Sequence, residues 1–340
     1  MSEKSCRTRW LATEVMSRRR APLPGMAALF SSARQGATQA VLALSAVCLT
    51  AACGTAENPD EALSAHESGA GSENVTETST SALLAERALT CDRETIGYLE
   101  HRPADEARTG SERHPTLIFL HGKGQRGKNL QDLVNEEDGP LRHISKGHPM
   151  RFTVDGKTEQ LIVIAPQLST GPEAHPLAWL TCVIDHVLAD ERVDPDRLYL
   201  TGLSMGGYGT YTAVTHPPLA RKIAAAAPIA GGGPAGKACV IAEHDIPIWA
   251  FHGDADATVR LSAGRRMVDA INACPEASFT RPIFTIYPSV GHNSWSRAYS
   301  TGHAYHDPNL YEWLLRQRRR PTDEAHPPGA LEVAPPVTPP

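Results

Sequence analysis

Short runs of consecutive apolar residues recur through the middle of the chain. Pro115–His121 is apolar on successive positions, the pattern of a strand covered on both faces. Gln160–Ala165 repeats it, Arg197–Gly202 reads the same way, and Ile223–Ile229, Ile246–His252 and Ile283–Tyr287 predict further strands. Between them Leu177, Leu180, Ile184, Val187 and Leu188 share one helical face, which predicts a helix over Leu177–Ala189. Helices are also expected over Met205–Thr215, Ala263–Asn272 and Asn309–Gln317. Strand and helix alternate, so the expected fold class is α/β, with a mostly parallel central sheet and helices on both faces. Reactive groups in such sheets gather at the carboxyl ends of the strands.

The pattern lapses at both ends. Residues 54–88 are rich in Ser, Thr, Glu, Ala and Gly, with too little apolar surface to offset the entropy of ordering, and read as a disordered linker. Residues 320–340 are Pro-rich and aperiodic, and read as a disordered tail. One folded domain over 89–319 remains, of ordinary size for this class.

Residues 1–53 read as an export leader. Ala40–Ala52 is a short run of small and apolar residues behind Arg34 and Arg18–Arg20, too short to span a bilayer comfortably. It ends Leu49-Thr50-Ala51-Ala52-Cys53, which resembles the lipobox of bacterial lipoproteins, with Thr50 where Leu is usual. Cys53 is therefore the expected lipidation site, and an ordinary signal peptide is the alternative. The long basic leader points to translation starting at Met26. The expected location is the bacterial cell envelope through a lipid on Cys53, or secretion.

Cysteine usage agrees with export. Of seven cysteines, Cys91, Cys182, Cys239 and Cys274 fall in the domain, an even number suited to an oxidising compartment. Three pairings are possible, and Cys239–Cys274 is the expected one, since both flank one strand–loop–helix unit. None has metal-ligand spacing, and no metal site is expected. The net charge of -5 gives no reason to expect nucleic acid as a partner. Contact with a membrane is expected only through the lipid.

The chemistry lies in three segments. Gly202-Leu203-Ser204-Met205-Gly206 is a G-x-S-x-G match between a predicted strand and a predicted helix, a turn that lifts a serine hydroxyl above the sheet. Such a serine needs a base, and the base an orienting carboxylate, in the chain order Ser, acid, His. Phe251–Asp256 follows one strand and offers Asp254 and Asp256; Val290–Trp295 follows the last and offers His292. Leu120-His121-Gly122-Lys123-Gly124 suits a second oxyanion loop. The backbone amides of Lys123 and Met205 are the expected donors, with Gly124 as the alternate.

Residues 117–315 resemble the dienelactone hydrolase/phospholipase–carboxylesterase branch of the α/β-hydrolases, especially its predicted-peptidase and feruloyl-esterase-like members. The resemblance rests on LHGKGQRGKN, DRLYLTGLSMGGYGTY, IPIWAFHGDADATV, YPSVGHNSW and YEWLLRQ. It implies an eight-stranded sheet, no cofactor, and hydrolysis of small carboxylic esters. It favours Asp256 over Asp254 through the pattern H-G-x-x-D-x-x-V. The expected function is thus a serine esterase with Ser204, His292 and Asp256 as its triad, acting on a small ester. A peptidase on the same triad and a non-catalytic surface binding module are the alternatives. Trp179 and Trp295 lie near these loops, as substrate-pocket residues or as core. No lipase-type lid is expected.

Overall fold

The computed structural model describes residues 83–92, 94–103, 113–135 and 139–319. The leader, Cys53, most of the linker and the tail lie outside the described residues. The chain opens with β1 (Ala85–Cys91), β2 (Glu94–His101) and β3 (His114–Leu120), then α1 (Pro140–Ser145). A small hairpin, β4 (Arg151–Val154) and β5 (Lys157–Gln160), precedes β6 (Ile162–Pro166) and α2 (Leu177–Leu188). β7 (Val193–Leu203), α3 (Met205–Val214), α4 (Pro217–Ala220), β8 (Ala225–Ile229) and α5 (Cys239–Glu243) follow. β9 (Trp249–Gly253), α6 (Leu261–Asn272), β10 (Ile283–Tyr287), α7 (Trp295–Ala298) and α8 (Leu310–Leu315) complete it.

The main sheet has eight strands in the order β1-β2-β6-β3-β7-β8-β9-β10. β3 and β6 through β10 pair in parallel with one another, while β2 pairs antiparallel with both β1 and β6. After β3 the chain lays β6 on one side of it, then returns to lay β7 on the other. The carboxyl end of the β3/β7 pair is therefore the switch point, where an α/β sheet opens a crevice.

Apolar residues on successive positions of the central strands are split between two cores. Ile118 and Leu120 join Leu180 and Ile184 of α2, Met205 and Tyr211 of α3 and Met267 of α6. Leu117 and Phe119 join Leu141 of α1, Trp295 of α7 and Leu310, Tyr311, Trp313 and Leu314 of α8. That division explains why these strands are apolar without alternation.

Two expectations are corrected. Residues 85–88, expected in the linker, form the first half of β1, paired in register from Ala85 opposite Glu100 to Cys91 opposite Glu94. Backbone pairing holds this strand, since Leu89 is its one fully buried residue. Gln160 ends a separate hairpin rather than starting a core strand, turning at Asp155 and Gly156, both at positive φ (51° and 80°). Of the two readings of Trp179 the structure shows the core one: it lies in α2, buried against His175, with ring centroids 5.2 Å apart. The Cys239–Cys274 bridge is present, and a second bridge, Cys91–Cys182, ties β1 to α2.

Candidate active site

Ser204 stands between β7 and α3 with φ 53° and ψ −114°, a backbone conformation that is strained for a residue with a Cβ. The flanking glycines make the turn possible. A Cβ on Gly206 would lie 1.9 Å from the Leu120 carbonyl oxygen, and one on Gly202 would lie 2.6 Å from the Gly206 backbone. The end of β3, the end of β7 and the start of α3 therefore meet backbone to backbone. Ser204 is held on both sides, its N–H donating to Ile229 O at 2.9 Å and its carbonyl accepting from Tyr208 N–H at 3.1 Å.

His292, on the loop after β10, places Nε2 2.9 Å from Ser204 Oγ and Nδ1 2.7 Å from Asp256 Oδ2. A carboxylate only accepts, so Nδ1 carries the ring hydrogen and Nε2 is free to accept from the serine O–H. The Asp256 side chain is fully buried, and its Oδ1 accepts from the backbone N–H groups of Thr258 and Val259, each at 2.9 Å. His252 contacts the same carboxylate at 3.4 Å, while its Nε2–H donates to Val259 O at 2.8 Å. Asp254 points elsewhere, accepting from Ser289 N–H at 2.7 Å. Of the two candidate acids, only Asp256 reaches His292.

The acid and base loops are clamped through Gly253, which sequence reasoning passed over. A Cβ there would lie 2.2 Å from Val290 O and 2.4 Å from Gly291 O. The Ala255 N–H donates to Val290 O across the same seam at 3.0 Å. The available signal was its place beside His252 in FHGDAD, directly at a strand end.

Met205 is the first residue of α3 and Lys123 the first of a 3-10 turn over Lys123–Gln125. The leading N–H groups of a helix lack partners within it, so both amides are available at the switch point. The Lys123 side chain pairs with Glu173, and Arg126 Nη1 donates to Pro172 O at 2.5 Å. Trp295 lies edge-on to the His292 ring, with centroids 5.1 Å apart, and is itself buried. Among the described residues, His303, Asp307 and Glu312 bring possible metal-ligand atoms within 4.8 Å of one another, away from this hydrogen-bonded chain. Glu312 Oε2 is already engaged by His303 Nε2 at 2.7 Å and by Asn309 N–H at 3.1 Å.

No protein-family model matches the chain. A thermostable esterase of known structure superposes with a TM-score of 0.53 at 26% identity, over 70% of this chain and 64% of that one. The chain is an α/β-hydrolase by fold. A bifunctional acetylxylan esterase/xylanase from Neocallimastix patriciarum is 33% identical to this chain over 148 residues, 42% of this chain and 19% of that enzyme. The match to the feruloyl esterase module from Clostridium thermocellum covers 62% of this chain and 81% of that one, at 17% identity and a TM-score of 0.45. The chain thus spans less than two thirds of the thermostable esterase and about a fifth of the curated enzyme.

Proposed function

We propose that this protein is a serine esterase cleaving small carboxylic esters through Ser204, His292 and Asp256. The observation that carries this reading is the unbroken chain from Ser204 Oγ to His292 to the buried Asp256 carboxylate, set on a strained strand-to-helix turn. His292 takes the serine proton as Oγ attacks the ester carbonyl, and the amides of Lys123 and Met205 hold the oxyanion. The alcohol leaves with the proton from His292. Water, deprotonated in turn by His292, then releases the acid and restores Ser204. Asp256 keeps the imidazole in the required tautomer and stabilises its cationic form.

The substrate class we propose is acetyl or feruloyl esters of carbohydrates. The 33% identity with an acetylxylan esterase/xylanase supports it. Two disulfides among the described residues support export, and a lipid on Cys53 remains the proposed anchor.

Ser204→Ala is expected to abolish p-nitrophenyl acetate turnover and fluorophosphonate labelling while leaving the circular dichroism unchanged. Retained turnover would overturn the assignment. Acetylated and feruloylated sugars assayed beside short peptides test the substrate class, with peptide cleavage alone counting against an esterase.

A further inference from the structure

We propose that His121 is a positioning residue that aims the Lys123 backbone N–H at the oxyanion. The inference rests on the esterase reading above and adds to it a side chain that touches no substrate. His121 is fully buried at the end of β3. Leu168, on the loop after β6, donates its backbone N–H to His121 Nε2 at 2.9 Å. An amide N–H only donates, so Nε2 is the bare nitrogen and the ring hydrogen of the neutral imidazole sits on Nδ1. Nδ1 lies 2.6 Å from Gly122 O, and it therefore donates to that carbonyl. A contact 47 residues away in sequence has selected the tautomer.

The consequence runs through one peptide unit. Gly122 C=O and Lys123 N–H belong to the same planar, trans peptide and point in opposite directions. Pinning the carbonyl beneath the loop turns the N–H outward. Gly122 has no side chain to hold this orientation, and Gln125 N–H reaches the same carbonyl only at 3.3 Å. Lys123 is also tied by its side chain to Glu173 and by its carbonyl, which accepts from Arg126 Nε at 3.2 Å, but neither contact touches the Gly122–Lys123 peptide, and the remaining ties act further along the loop. Gln167 Nε2 donates to Gln125 O at 2.8 Å and Asn129 O at 2.9 Å, and Gly127 N–H donates to Leu168 O at 2.9 Å. Burial holds the His121 pKa down to about 4, so the neutral ring and its hydrogen bonds persist across the range in which a serine esterase works.

The test compares His121→Asn, His121→Gln and His121→Ala for kcat and KM on p-nitrophenyl acetate, fluorophosphonate labelling rate, and thermal midpoint. Asparagine presents its amide N–H near the place of Nδ1 and can hold Gly122 O; glutamine reaches toward Leu168 and leaves that carbonyl unheld. The expected result is a kcat about 100-fold lower in the Ala and Gln variants, with KM nearly unchanged, as for loss of one oxyanion donor. His121→Asn should recover at least about tenfold of that loss at a midpoint like that of the Gln variant. Should the Ala variant not fold, the Asn–Gln pair decides alone. Equal kcat in that pair, or losses that follow only the folded fraction, would overturn the inference. A wild-type protein with no turnover and no labelling at Ser204 overturns the esterase reading and this inference together, whereas an active wild type with no Asn–Gln difference removes this inference alone.

Discussion

Asp254 and Asp256 stand two positions apart on one loop and meet different partners. Asp256 is buried, holds two backbone N–H groups on one oxygen and gives the other to His292. Asp254 ties down Ser289. Asp256→Asn replaces an obligate acceptor by a group that can also donate, freeing the imidazole to adopt the other tautomer. Its kcat is expected to fall by about 10³–10⁴-fold, whereas Asp254→Asn should remain within about threefold of wild type. Steady-state kinetics on both variants checks this, and equal losses would return the choice to Asp254. At this scale the Ser, acid and His candidates were legible because each follows a strand and they occur in the order the fold requires. The role of His121 was not, since its deciding partner, Leu168, arrives only through tertiary packing. The choice between pocket and core for Trp179 stayed open for the same reason: nearness in sequence to a loop says nothing about which face of α2 it occupies.

Elements carry the site by meeting backbone to backbone. The seam between the acid and base loops closes only because Gly253 lacks a Cβ. Gly253→Ala forces Val290 and Gly291 to move. It is expected to cost about 3 kcal/mol, the upper end for overpacking, because the obstructing atoms are backbone carbonyls. Turnover should fall further than the folded fraction, since the displaced loop holds His292. Urea unfolding beside kcat tests it, and an unchanged midpoint would contradict the close approach. Central strands were legible from their apolar runs because both faces are covered. β1 was missed because it is an edge strand with a mostly exposed surface, and only its pairing with β2 defines it. The β4–β5 hairpin was equally hidden, although Asp155-Gly156 is the dipeptide such a turn favours. Cys91–Cys182 joins residues 91 apart in sequence, a pairing that spacing could not select.

Across the whole molecule, buried histidines make acid the weak side. Burial lowers the pKa of His121 to about 4 and of His175 to about 3, and it lowers those of His148, His244 and His306 as well. An unfolded chain protonates these rings near pH 6.5, while the folded one resists. Stability is therefore lost as pH falls from about 6.5 toward 4, with His121 alone contributing on the order of 3 kcal/mol. His303 opposes the trend, because its hydrogen bond to Glu312 raises its pKa, but that pair is exposed and weak. Below about pH 4 the ion-paired Glu159, Asp190 and Asp194, whose pKa values are lowered, add to the loss. Thermal midpoints measured from pH 7.5 to 4.5 should fall steadily, and a flat profile would refute the assignment.

The Cys91–Cys182 bridge has a mechanical meaning. Tension applied through the chain ahead of Leu83 enters the domain at the Ala85 end of β1, where Ala85 pairs with Glu100. A hairpin loaded from its open end parts one rung at a time, like a zip. The bridge sits at the opposite end of that strand and fastens it to α2. Peeling can therefore consume β1 and no more, and the load passes sideways into a helix before it reaches β7 and the serine it carries.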